Sequence, residues 1–569
     1  MPVDVIDEAS GATGPWYDPA PMLASLRPQA LALADRSGDL PLYDIDVSFA
    51  AGGLAFSLTE TVWFTEHEDR PLDDVVLRLY ANAPADGGKR AAPIHFDGGS
   101  CEAGPRCRVE SPSPSVVVVH LDRPLPPRGR VRVRLELSGL LARIDPSRTT
   151  MMGASLDALQ GMLGGGGDSG GDYGAMAVGE GITSLGGFYA VLARRSHGEW
   201  VRQDESLGGD LGPDAMSYAR LRVELDPGTT LAAAGTVVKD ETTRDDGVAR
   251  RHVTLAAGMV REVALVASGD FAVASADAGG VQVRSLYLPG DAAAGRAVLD
   301  AATHALAVFE KRFGPYPYRS LDIAEAALVG GAGGVEYSGL ATVASMLYRP
   351  PALDTMREFC VAHEVAHQWW HGLVGSDSRQ HPFVDESLAQ YSAMLYFEDR
   401  YGAAKARAAA DMNVKAGYES MRLMGEADGA VDRPVSATST MGYAGLVYGK
   451  GPYYYAAVRK ALGDARFFRA LRRYAADYAF GFAGPDDFTT IAAAEAGREG
   501  PTVRKLAQRW LHEAHGDEDL GKPDAAKLLR GMPGGLGGGS SAGGVPGMKV
   551  DPDTLKQMLE FLGGSGPAP

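Results

Sequence analysis

His363-Glu364-Val365-Ala366-His367 lies inside a stretch, residues 357–373, whose Phe359, Ala362, Ala366, Trp369 and Leu373 recur at helical spacing. Histidines four apart share one helix face, so two imidazoles reach a single ion, and Glu364 between them points to the same side. Thr355 and Glu358 fit a capping box that opens this helix. Zinc takes such a pair, and catalytic zinc also requires a third protein ligand and an open position for water. Glu386 supplies that ligand after a gap of eighteen residues, 368–385. The gap finishes the first helix near Gly372, crosses a loop over 375–382 and starts a second helix at about Asp385. That helix, through Leu388, Tyr391 and Leu395 to near Gly402, is expected to pack antiparallel to the first and present Glu386 to the metal. The set is thus one zinc ion per chain on His363, His367 and Glu386, with Glu364 as base.

Upstream, residues 42–274 alternate apolar and polar positions in short runs such as Val131-Arg132-Val133-Arg134-Leu135-Glu136-Leu137, the pattern of a mainly antiparallel β domain. Within it, residues 163–181 are rich in Gly and Asp and read as a long loop. After Pro289 the period changes. Residues 292–313 predict a helix with Val298, Ala302, Leu306 and Phe309 on one side, closed by Gly314-Pro315. Two apolar runs, 321–329 and 335–343, flank Gly330-Gly331-Ala332-Gly333-Gly334, and helical patterns then continue to about residue 514. A Gly/Ser/Pro-rich linker at 531–547 leads to a short helical tail at 552–562. The expected organisation is multidomain α+β. An N-terminal extension (1–41) precedes a β-rich domain (42–288), an α/β zinc-binding domain with a helical C-terminal part (289–517), and a linker with its tail (518–569).

The 569 residues, 45% of them apolar, are enough for several cores. A net charge of −17 without a Lys/Arg stripe argues against a nucleic-acid partner. Three cysteines build no disulfide framework, although Cys101 and Cys107 are spaced to close one small loop. No run approaches the ~18 uncharged apolar residues that cross a bilayer. The stretch 22–34 is broken by Arg27 and Pro28 and does not read as a signal peptide, so the chain as it stands is expected to be soluble and cytoplasmic, or exported if a leader was trimmed.

His363-Glu364-x-x-His367, the eighteen-residue gap and Asp385-Glu386-Ser387-Leu388-Ala389 together resemble the aminopeptidase N family of gluzincins. Thermolysin-like endopeptidases share the ligand set with a gap one residue longer. Gly333-Gly334-Val335-Glu336-Tyr337 is similar to the family's Gly-x-Met-Glu-Asn strand, whose glutamate binds the substrate's free amine. Tyr448-Gly449-Lys450-Gly451 resembles its Tyr-x-Lys-Gly motif, whose tyrosine stabilises the tetrahedral intermediate. Val335 and Tyr337 depart from the usual methionine and asparagine, a difference expected to bear on specificity. The resemblance covers roughly residues 42–515 and is nearest the short bacterial branch, which lacks the large C-terminal helical domain. It implies a thermolysin-like catalytic domain and an aminopeptidase acting on peptides with a free N-terminus.

On that reading Glu364 moves the proton of the attacking water, Tyr448 donates to the oxyanion and Glu336 pairs with the α-ammonium, which makes the enzyme an exopeptidase. Glu180, in Gly179-Glu180-Gly181, is a candidate second amine contact from the β domain. Three alternatives remain: a zinc endopeptidase of thermolysin-like type, an epoxide-opening hydrolase, and a catalytically quiet peptide-binding scaffold. Nearby signals are set aside. His371 suits a capping or supporting role, Cys360 a small core residue and His512-Glu513-Ala514-His515 a solvated helix end. Residues 445–451 lack the length and hydroxyl of a phosphate loop.

Overall fold

The alternation in Arg130–Leu140 buries Val131, Val133, Leu135 and Leu137 and turns Arg132, Arg134 and Glu136 outward, as a sheet with one covered face requires. The computed structural model describes residues 16–34, 39–50, 53–83, 92–150, 173–203, 215–349 and 351–523. Most of the expected 163–181 loop, and the linker and tail beyond 523, lie outside them.

Arg130–Leu140 belongs to a seven-stranded sheet that runs Thr236–Asp245, Val248–Val260, Ser217–Leu225, Leu42–Phe49, Ala55–Thr65, Arg130–Leu140, Ile94–Ala103. It is antiparallel except where Leu42–Phe49 runs parallel to Ser217–Leu225. A four-stranded sheet, a five-stranded sheet and the two-stranded pair Arg195–Ser196 and Glu199–Trp200 make up the rest of the β half among the described residues. Cys101 and Cys107 are joined by a disulfide.

The second half centres on a five-stranded sheet of order Ala272–Asp277, Gln282–Tyr287, Ser320–Ala326, Leu340–Ala344, Gly334–Tyr337. Its first two strands lie within 42–288, the range expected for the β-rich domain. An edge strand alternates in any sheet, so only its partner assigns it, and Gln282–Tyr287 pairs in parallel with Ser320–Ala326. The apolar run 335–343 folds into a hairpin about Ser338-Gly339, which puts Gly334–Tyr337 on the sheet's edge. Helix Ala292–Phe313 buries Val298, Ala302, Leu306 and Phe309, as the periodicity predicts.

Helix Asp354–Ala366 starts without a capping box, since no side chain caps it at Leu353. Glu358 is drawn away by tertiary partners instead. It accepts hydrogen bonds from Tyr396 (2.5 Å) and Tyr401 (2.7 Å) near the end of helix Leu388–Tyr401. At the other end Trp370 Nε1 donates to Ser392 Oγ (2.9 Å). Start meets end in both contacts, so the helices run antiparallel. Residues 16–34 form two short helices, Ala20–Leu23 and Pro28–Ala34, that tie both halves together. Ser25 Oγ accepts from Gly258 N, while Arg27 pairs with Glu310. Among the described residues no helix is long and apolar enough to cross a membrane.

The later helices are locked by Lys450, fully buried, whose Nζ donates to Asp428 (3.1 Å) and to the carbonyls of Gly429 (2.8 Å) and Glu513 (2.7 Å). Burial pulls its pKa down, opposed by the Asp428 carboxylate. Lys450→Met removes three donated hydrogen bonds and leaves the Gly429 and Glu513 carbonyls without their donor, a loss of about 3 kcal/mol. Denaturant unfolding followed by far-UV circular dichroism should show the lower midpoint; an unchanged midpoint would mean that the lysine is not a brace.

Candidate active site

His363 and His367 project from one face of helix Asp354–Ala366 and its end, with their Nε2 atoms 3.0 Å apart. Glu386 Oε2 lies 3.3 Å from the first and 3.4 Å from the second. These are the His, Cys, Asp or Glu groups that come together as a possible metal site among the described residues, and all three are buried. His367 Nδ1 faces the carbonyl of Trp370 at 3.0 Å and must donate to it, which leaves Nε2 with its lone pair toward the cluster. Ligand atoms around a tetrahedral zinc with bonds of ~2.0–2.1 Å sit about 3.4 Å apart, so spacing and donor type both fit that ion.

The chain reaches this arrangement by leaving regular helix three times. Widened turns at Gln368–Leu373, Phe383–Ser387 and Ala444–Lys450 carry or follow the site's side chains. The turn holding Glu386 is fixed by Asp385, which accepts from Ser376 Oγ (2.8 Å), from Ser378 Oγ and from the Glu386 amide (2.7 Å). Burial pushes the Asp385 carboxyl up to about 6.

Glu364 lies beside the pair, with Oε2 buried and unpartnered. Burial first, then the carboxylate of Glu336, push its carboxyl well above the usual range, so a cation in the triad is the countercharge that would let it ionise. The edge strand passes close enough that a Cβ at Gly334 would lie 2.5 Å from the Glu364 carboxyl carbon; only glycine fits there. Glu336, two residues on, directs a buried Oε1 with no hydrogen-bond partner. Val335 and Tyr337 occupy the strand's other face, where Tyr337 packs with Ile182, Val266 and Phe271 of the β half. The two departures from the family strand therefore bear on the join between halves and not on the face that carries Glu336.

Tyr448 stands apart from the aromatic cluster of Tyr454, Tyr455 and Phe488. Its phenol donates to Glu386 Oε1 and its ring lies 6.0 Å from that of His363. Glu180 is not the free loop acid that an amine contact needs. It accepts from Thr149, and Arg349 clasps its carboxylate through both terminal nitrogens. The carboxylate offered as a second amine contact is thus already paired with a cation. His371 faces Glu262 at 3.2 Å, the supporting role expected of it, and His515 pairs with Glu513 and Glu518. Cys360 Sγ lies 3.9 Å from Glu364 Oε1 and so borders the site rather than the core alone. Asp385 and Gln368 were not singled out from the sequence, although an acid beside a ligand and an amide beside a histidine were readable signals.

The family described as Peptidase family M1 domain matches residues 297–510. Aminopeptidase M1-B of Oryza sativa subsp. japonica is 26% identical over 241 residues, 41% of this chain and 27% of that protein. Aminopeptidase N of Lactobacillus delbrueckii subsp. lactis is 29% identical over 206 residues, 33% of this chain and 23% of its own. The chain thus spans about a quarter of the length of these relatives. In fold it is similar to an M1 zinc metallopeptidase from Deinococcus radiodurans, with a TM-score of 0.55 at 18% identity over 82% of this chain and 93% of that one. A mutant of that protein bound to a Tyr-Ser-Ala substrate gives a TM-score of 0.56 over 84% and 94% at 18% identity. The two-histidine, one-glutamate cluster lies inside the matched residues, so this part of the chain is similar to the peptidase family M1 domain around that cluster.

Proposed function

We propose that the protein is a zinc-dependent aminopeptidase that hydrolyses the N-terminal peptide bond of peptides, with His363, His367 and Glu386 holding one zinc ion. The buried, unpartnered carboxylate oxygen of Glu336 beside Glu364 carries this reading. A carboxylate with a buried oxygen and no hydrogen-bond donor of its own is a receptor for a cation, and the α-ammonium of a peptide is the cation that an exopeptidase must recognise. An endopeptidase would need that end of the cleft open for further chain. The names of the relatives, all aminopeptidases, point the same way.

When bound, zinc supplies an acidified water and polarises the scissile carbonyl. Glu364 takes the proton of the attacking water and delivers it to the leaving amine. Its contact with the edge strand at Gly334 keeps it on the side where Glu336 anchors the substrate. Tyr448 exchanges its hydrogen bond to Glu386 for one to the developing oxyanion, a contact that gains strength as charge accumulates. Asp385 and its two serine donors hold the Glu386 turn still through the cycle.

Glu364→Gln should keep stoichiometric zinc and lower kcat by at least ~100-fold, because only the base is lost. His363→Ala or Glu386→Ala should instead lose the metal on dialysis. Atomic absorption and aminoacyl-coumarin turnover separate the cases, and a zinc-loaded Glu364 variant with normal turnover would end the mechanism. Glu336→Ala should raise KM for substrates with a free amine by about tenfold or more while any cleavage of an N-acetylated peptide is unaffected. Equal losses on both substrates would favour an endopeptidase.

A further inference from the structure

Arg261 and Glu262 interrupt an apolar run, between Met259-Val260 and Val263-Ala264-Leu265. Both are buried, at 2% and 6% exposure. Charges persist in such a place only when paired and hydrogen-bonded, and the partners here lie in the other half of the molecule. Glu262 accepts from the amide of Ser338 (2.8 Å) and faces His371 Nε2 (3.2 Å). Burial opposes charge on both groups, yet their mutual attraction prevails: the Glu262 carboxyl is held below its usual value and the His371 imidazole above. The Arg261 amide donates to Ser338 Oγ (3.1 Å). Its guanidinium donates to the carbonyls of His371 (2.5 Å) and Gly481 (2.7 Å). It occupies the space where a side chain at Gly375 would begin, so that glycine makes room for it.

The two turns gripped in this way are the ones that matter for the site. Ser338 lies two residues beyond Glu336, and His371 four beyond His367. Gln368 links the same two segments directly, donating to the Tyr337 carbonyl (2.9 Å) and accepting from the Gly339 amide (2.8 Å). The Glu336 Oε1 atom has no bond of its own to hold it, so its position depends on how the ends of its strand are tied.

We propose that Glu262 is a positioning residue: by joining Ser338 to His371 it sets the distance between the Glu336 carboxylate and the two histidines, and thereby selects ligands that meet both at once. This rests on the reading that Glu336 receives an α-ammonium while the triad holds zinc.

Calorimetric titration of the zinc-loaded protein with an α-aminoacyl hydroxamate and with its N-acetyl form separates the two anchors. The unsubstituted chain should prefer the free amine. In Glu262→Ala that preference should fall by about tenfold or more, with zinc content and affinity for the N-acetyl form unchanged. Glu262→Gln keeps an oxygen for the Ser338 amide and should recover most of the preference. His371→Leu removes the donor of the other arm and carries the same expectation, so the test survives if Glu262→Ala does not fold. Equal weakening of both hydroxamates, or an unchanged preference in the variants, would overturn the positioning role. Equal affinities in the unsubstituted chain would overturn the reading of Glu336 itself, and this proposal with it.

Discussion

His363, His367 and Glu386 bring three donor atoms within 3.0–3.4 Å of one another in a buried volume, with the carboxylates of Glu364 and Glu336 close by. Lone pairs and negative charge packed together out of water repel and lose solvation, so the arrangement is stable only around a positive centre. Most of what surrounds it can be understood as holding these groups in place despite their repulsion. Trp370 fixes the His367 ring, Asp385 with two serines fixes the Glu386 turn, and the antiparallel helices are tied at both ends by Glu358 and Ser392.

The β half contributes more than a support. Its last long strand, Val248–Val260, delivers Arg261 and Glu262 directly into the turns on either side of the cluster. Tyr337, on the back of the strand that carries Glu336, packs into the same half. The strand that carries Glu336 and the His363, His367 and Glu386 cluster therefore belong to one mechanical unit whose tie points lie outside the helix pair.

The triad and its helices were legible in the sequence because their signals are local: an i, i+4 histidine pair, a carboxylate at a countable distance, and apolar residues at helical period. What escaped was decided by partners far along the chain. Glu358 has the spacing of a capping box, but two tyrosines 38 and 43 residues away claim it. Glu180 looked like an exposed loop acid, and Arg349, 169 residues on, neutralises it. Residues 272–287 alternate like the strands before them, and only pairing with Ser320–Ala326 reveals their sheet. Arg261 and Glu262 did leave a trace, two charges inside an apolar run, but nothing in the sequence names Ser338 and His371 as the groups that receive them.

The short segment 16–34 adds a constraint of a different kind. Trp16 and Tyr17 meet the nearby Trp63 and Leu40, but Ser25, Leu26 and Arg27 meet Gly258, Tyr318 and Glu310, some 230 to 290 positions later. The closure entropy of these three long-range contacts is offset only once both halves exist. The segment is therefore expected to settle last, as a seal over a completed join, and its docked state reports that strand Val248–Val260 and helix Ala292–Phe313 have already met in the right register.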